Sequence, residues 1–163
     1  MSANNVKRKV LHKAVGYKTK DGAGVNLVRV LGSSTVKEFD LDPFLMLDSF
    51  DSTNPEDYTA GFPMHPHRGI ETISFVSRGK MQHKDTLGFE DTITDGEVQF
   101  MTAGSGVEHE ELIPATEQLR GLQLWLNLPS FPVSRADCRV AAVRPRMNYF
   151  PARIVGMKST HPT

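Results

Sequence analysis

The 163-residue chain has one cysteine, Cys138, which excludes an internal disulfide. Stability must then come from packing and bound groups, as in proteins of a reducing compartment. No apolar run approaches the roughly 18 residues of a membrane span, and the start MSANNVKRKV is basic without the apolar stretch of a signal peptide. A cytoplasmic protein with no membrane partner is the expectation. Net charge is absent too: 19 Lys/Arg balance 19 Asp/Glu, which removes any global attraction to nucleic acid or lipid. Internal repeats, low-complexity tracts and sustained helical periodicity are also missing.

The charge balance hides an asymmetry. Residues 1–129 hold 13 Lys/Arg and 18 Asp/Glu, a net −5, whereas residues 130–163 hold 6 Lys/Arg and one acid, Asp137, a net +5. The change at Pro129 divides the chain into a main domain, 1–129, and a basic C-terminal extension, 130–163. Pro132, Pro145 and Pro151 interrupt the extension, so neither a long helix nor a central strand is expected there. Its Arg135, Arg139, Arg144, Arg146, Arg153 and Lys158 are scattered, the pattern of a solvated tail and not of a phosphate-binding surface.

What the chain does have is β patterning. Short alternating or apolar runs at 25–31, 44–50, 71–77, 79–85, 97–103, 107–113 and 119–128 are separated by segments rich in Gly, Pro, Asn and Asp. This predicts an all-β sandwich or barrel of short strands in one domain.

Two segments carry metal-ligand chemistry. In GFPMHPHRGIET, His65 and His67 are two apart, so in an extended chain both imidazoles share a face. In GSGVEHEEL, His109 and Glu111 repeat that spacing some forty residues later. Side by side, the two strands would assemble three imidazoles and a carboxylate, a set that suits zinc, iron, nickel or copper. It also meets the four-ligand count of a purely structural zinc. The same alternation turns Glu108 and Glu110 to the opposite face. Glu71, four residues past His67, is a candidate fifth ligand or, in the preferred reading, an acceptor that steadies an imidazole by hydrogen bonding without touching the ion. His12, His83 and His161 lack such company and are read as structural or solvated.

The string HPHRGIE followed by Gly79 resembles the first cupin motif, and DGEVQFMTAGSGVEH resembles the second. LDPFLMLDSF, GFPMHPHRGIET, FMTAGSGVEHEE and GLQLWLNLP follow in the order that marks the pirin family. Residues 20–129 thus resemble the N-terminal, metal-binding cupin domain of that family. The resemblance implies a cupin-type small β-barrel, a jelly roll or double-stranded β-helix of antiparallel strands. It implies one divalent ion, foremost Fe(2+), with Ni, Mn, Co, Cu or Zn as alternatives, on the residues matching His65, His67, His109 and Glu111, and it leaves Glu71 off the ion. Two-barrel architecture is the family pattern, and no second barrel is seen after Pro129. A lone barrel would expose an apolar face, through which a homodimer is expected.

Two functions follow from the resemblance. One is an oxidoreductase, a quercetin 2,3-dioxygenase that opens a flavonol with O2, in which Glu111 is the catalytic base for the substrate hydroxyl. Phe44, Met46, Phe62, Met64, Phe100 and Trp125 are candidates to line its mouth. The other is a non-enzymatic, iron-dependent redox sensor that binds transcription factors or metabolic enzymes.

Overall fold

The computed structural model describes residues 15–32, 41–129, 138–143 and 154–155, together with Val10 and Lys13. His12 and His161 lie outside the described residues, as do Arg135, Arg144, Arg146, Arg153 and Lys158 of the extension.

The strands are β1 (Tyr17–Asp21), β2 (Val25–Leu31), β3 (Phe44–Ser52), β4 (Phe62–His67), β5 (Ile70–Arg78), β6 (Lys80–Asp85), β7 (Glu90–Thr94), β8 (Glu97–Thr102), β9 (Val107–Leu112), β10 (Leu119–Asn127), β11 (Arg139–Val143) and β12 (Ile154–Val155). They form an eight-stranded sheet in the order β1-β2-β3-β10-β5-β8-β11-β12 and a four-stranded sheet in the order β4-β9-β6-β7. Every pairing is antiparallel. The all-β, antiparallel fold expected from the sequence is present. Among the described residues hydrogen bonding does not run around a closed ring, so the barrel is realised as a jelly-roll-like pair of sheets. The reason is local: the chain crosses between sheets at tight turns, β5 to β6 through Gly79 and β7 to β8 through Gly96, each at positive φ, and these corners interrupt the ladder.

Alternation explains which residues fill the space between the sheets. The inner face of the large sheet is built of cross-strand rows of different character. Phe50, Gly121 and Val76 stand side by side at one level, and the first and last join the buried cluster of Leu27, Phe62, Met81 and Ile93. One level up, Arg29, Asp48, Gln123, Ser74 and Gln99 form an unbroken polar row across five strands. Above it lie Met46, Trp125, Thr72 and Met101. A polar row inside a barrel is costly unless its groups are paired. Here Arg29 holds both oxygens of Asp48, at 2.9 and 2.8 Å.

β1, β7, β11 and β12 were not expected from the sequence. YKTKD and EDTIT carry almost no apolar signal and are strands because β2 and β6 pair with them. β11 lies beyond position 129 yet adds to β8 over Val98–Thr102, burying Val140 and Ala142. Cys138, just before it, is a buried free thiol whose Sγ lies 3.0 Å from the Ala103 carbonyl oxygen. No helix among the described residues is long and apolar enough to cross a membrane.

Candidate metal centre

The site is made where β4 runs beside β9. His65 stands opposite His109 and His67 opposite Val107, so the imidazoles of the two strands share one face. A bulge between Phe62 and His65 resets the alternation, which lets buried Phe62 and both histidines face the same way. Gly61 makes the approach sterically feasible: at φ +62° it lies where a Cβ would come 2.7 Å from the Glu111 carbonyl oxygen. On β9 the burial alternates strictly. Val107, His109 and Glu111 are buried, Glu108 is exposed and Glu110 half-buried, as the strand period requires.

The three histidines converge. Ring centroids are 4.8 Å apart for His65 and His67, 4.4 Å for His65 and His109, and 5.0 Å for His67 and His109. One donor nitrogen of each lies within 4.8 Å of the others. His65 Nδ1 is 2.7 Å from the Pro63 carbonyl oxygen and donates to it, which leaves Nε2 bare on that ring. That Nε2 is 3.0 Å from His67 Nε2. Two nitrogens each about 2.1 Å from one ion at a right angle would be about 3.0 Å apart, so the spacing suits a shared cation. His109 Nε2 is buried with no hydrogen-bond partner among the described residues, as is the indole nitrogen of Trp125, whose ring meets His67 edge-on at 4.8 Å. A buried polar atom without a partner is uncommon and calls for one.

Burial, with a smaller electrostatic contribution from neighbouring His65, pushes the His67 pKa down to about 4. Burial, with repulsion from His83, His65 and His67, takes His109 down to about 2. Both rings are therefore neutral near pH 7, the form in which imidazole binds metals. Glu111 is also buried, and burial raises its pKa against the opposing hydrogen bonds of Gln123 and Ser74. Gln123 Nε2 reaches both carboxylate oxygens and Ser74 Oγ lies 3.5 Å from one. Glu111 faces the same space as the imidazoles but is not among the three converging groups. Beside it is a cavity of about 370 Å³ whose lining includes His65, Glu111, Gln123, Met46, Phe62 and Trp125. Met64 also lines it, whereas Phe44 and Phe100, both exposed, are not part of its lining.

Glu71 differs from the sequence reading, and His83, structural as one of its two readings had it, lies closer to the site than expected. Glu71 is not brought to the imidazoles: its carboxylate accepts from Thr102 Oγ1 at 2.9 Å, on the face opposite Thr72 and Ser74. Counting four residues from His67 fails because β4 ends there and the turn at Arg68–Gly69 starts a strand of the other sheet. His83, read as structural or solvated, is buried against the site, its Nδ1 3.2 Å from His109 Nδ1 and its Nε2 2.9 Å from Asp85 Oδ2. The hint in the sequence was His83 and Asp85 at the same i, i+2 spacing, but only the β6–β9 register brings them to His109.

The comparisons with known proteins agree with this architecture. A family model described as Pirin matches residues 24–126. A pirin-like protein of Caulobacter vibrioides is 50% identical over 125 residues, 76% of this chain and 44% of the relative. Pirin of Homo sapiens is 40% identical over 124 residues, 76% of this chain and 41% of that protein. A crystal structure of quercetin 2,3-dioxygenase from Acinetobacter baumannii superposes with a TM-score of 0.59 at 34% identity, covering 75% of this chain and 48% of that one. The chain spans less than half the length of these three proteins.

Proposed function

The chain belongs to the pirin family, and on that premise we propose that it binds one divalent metal ion and opens flavonols as a quercetin 2,3-dioxygenase. The observation that carries this reading is the convergence of three imidazoles, two of them held neutral, beside a partly apolar cavity. His65, His67 and His109 would hold the ion, with Glu111 as the fourth ligand, and Fe(2+) is the preferred metal ahead of Ni, Mn, Co, Cu or Zn. Such an ion supplies a Lewis acid that lowers the pKa of a nearby hydroxyl, and four protein ligands leave room for further partners on it.

The protein's own groups do the rest. At about 370 Å³ the cavity falls in the range of small-molecule pockets. Met46, Phe62, Met64 and Trp125 offer apolar and aromatic surface for a flat polyphenol. The unpartnered Trp125 indole N–H is a donor for one of its oxygens. Glu111 takes the proton of the reacting hydroxyl, and Gln123 keeps the carboxylate aimed at the cavity. O2 is the oxidant and the source of both inserted oxygen atoms, as the dioxygenase class requires. The substrate class follows the name of the Acinetobacter structure.

The test is anaerobic loading with Fe, Ni, Mn, Co or Cu, followed by mixing with quercetin and O2. Loss of the flavonol absorbance with matching O2 uptake is the expected result for at least one metal. No ring opening with any of the five would remove the enzyme reading and leave a metal-dependent regulator that acts by binding protein partners.

A further inference from the structure

Asp85 and His83 occupy the inner face of β6 and are both buried. The register sets Asp85 opposite His109 and His83 opposite Glu111. Neither belongs to the three-imidazole group, yet their hydrogen bonds fix where its protons lie. Asp85 Oδ1 accepts the backbone N–H groups of Leu87 and Phe89 at 2.8 and 3.0 Å. Its other oxygen faces His83 Nε2 at 2.9 Å. A carboxylate only accepts, so His83 carries a proton on Nε2, and as a neutral ring it presents a bare Nδ1. That nitrogen is 3.2 Å from His109 Nδ1, and opposite a neutral His83 ring His109 Nδ1 is the donor. His109 then keeps its lone pair on Nε2, the buried atom that has no partner among the described residues.

We propose that Asp85 and His83 are a positioning pair that selects the ligating nitrogen of His109, holding the ring in the Nδ1–H form with Nε2 free for the metal. The role rests on reading the three imidazoles as a metal site. Supporting partners of this kind fix ligand orientation and tautomer in metal centres generally. Here two residues transmit the choice from a loop, Leu87–Phe89, to the ion.

The Asp85→Asn variant gives a directional test. The Leu87 and Phe89 N–H groups retain the amide oxygen at the position of Oδ1, so the new NH2 faces His83 Nε2 and every donor in the chain reverses. His83 becomes the Nδ1–H form and His109 is left with a proton on Nε2. Nitrogen-15 chemical shifts of histidine-labelled, metal-free protein at neutral pH read the tautomers directly. The wild type should show His109 protonated at Nδ1, and D85N should show it protonated at Nε2 with cobalt(II) affinity lowered about 10–100-fold. Wild-type His109 protonated at Nε2 overturns the proposal, whether or not D85N folds. So does folded D85N with the wild-type tautomer, or with the wild-type cobalt affinity. Because the tautomer is read without metal, wild-type protein that shows the Nδ1–H form but takes up no cobalt counts against the metal site itself, while the order of protons stands.

Discussion

Gln123 Nε2 on β10 lies 2.9 and 3.2 Å from the two carboxylate oxygens of Glu111 on β9, tying the large sheet to the small one beside the cavity. The pair decides how a buried carboxylate is tolerated. Replacing Gln123 by Leu removes that donor and leaves Ser74 at 3.5 Å as a poor substitute. Q123L should lose about 1–3 kcal/mol of stability in urea unfolding of the metal-free protein, the usual cost of orphaning a buried polar group. An unchanged midpoint would mean that the carboxylate does not depend on Gln123.

The approach of β4 to β9 depends on Gly61. A Cβ there meets the Glu111 carbonyl oxygen at 2.7 Å, and φ is +62°. Gly61→Ala should therefore cost about 1–3 kcal/mol for the left-handed backbone alone, and more as the strands part. Metal affinity should fall with it, because His65 and His109 face each other across the same pairing. Calorimetric titration of G61A with cobalt(II), beside its thermal unfolding, checks both effects.

Strand period separates three neighbouring glutamates. Glu111 is buried, while Glu108 and Glu110 turn outward. Glu110→Gln should keep the wild-type metal content, and Glu111→Gln should lower it. Loss of metal from E110Q would show that the register of β9 is wrong.

At the other end of the polar row, Arg29 is the partner of Asp48, whose side chain is 2% exposed. Arg29→Met leaves that carboxylate buried without its cation, a change that costs about 3–5 kcal/mol in comparable buried pairs. The double variant R29M/D48L should recover much of the loss, since a well-packed apolar pair replaces the ions. Denaturant midpoints of the wild type and the two variants measure this.

Much of this arrangement was legible from side-chain alternation. His65 with His67, and His109 apart from Glu108 and Glu110, are properties of an extended chain, and the pairing of β4 with β9 carries them into space. Where alternation crosses a corner it stops being a guide, which is why Glu71 went to Thr102. His83 and Asp85 were illegible for another reason. Polar residues on the inner face of β6 look like surface residues in sequence, and their partner His109 is supplied by a register that no local pattern encodes. β7 and β1 carry few apolar side chains, and their strands are dictated by the neighbours that need a partner.

The direct test of the metal centre is elemental analysis of the protein purified without added metal, compared with the double variant H65A/H67A after both pass through the same columns. The wild type should carry close to one first-row divalent ion per chain, and the double variant close to none. A wild type that stays empty even after loading with Fe(2+), Ni, Mn, Co, Cu and Zn, or a double variant that retains its ion, would contradict the assignment of His65, His67 and His109 as ligands.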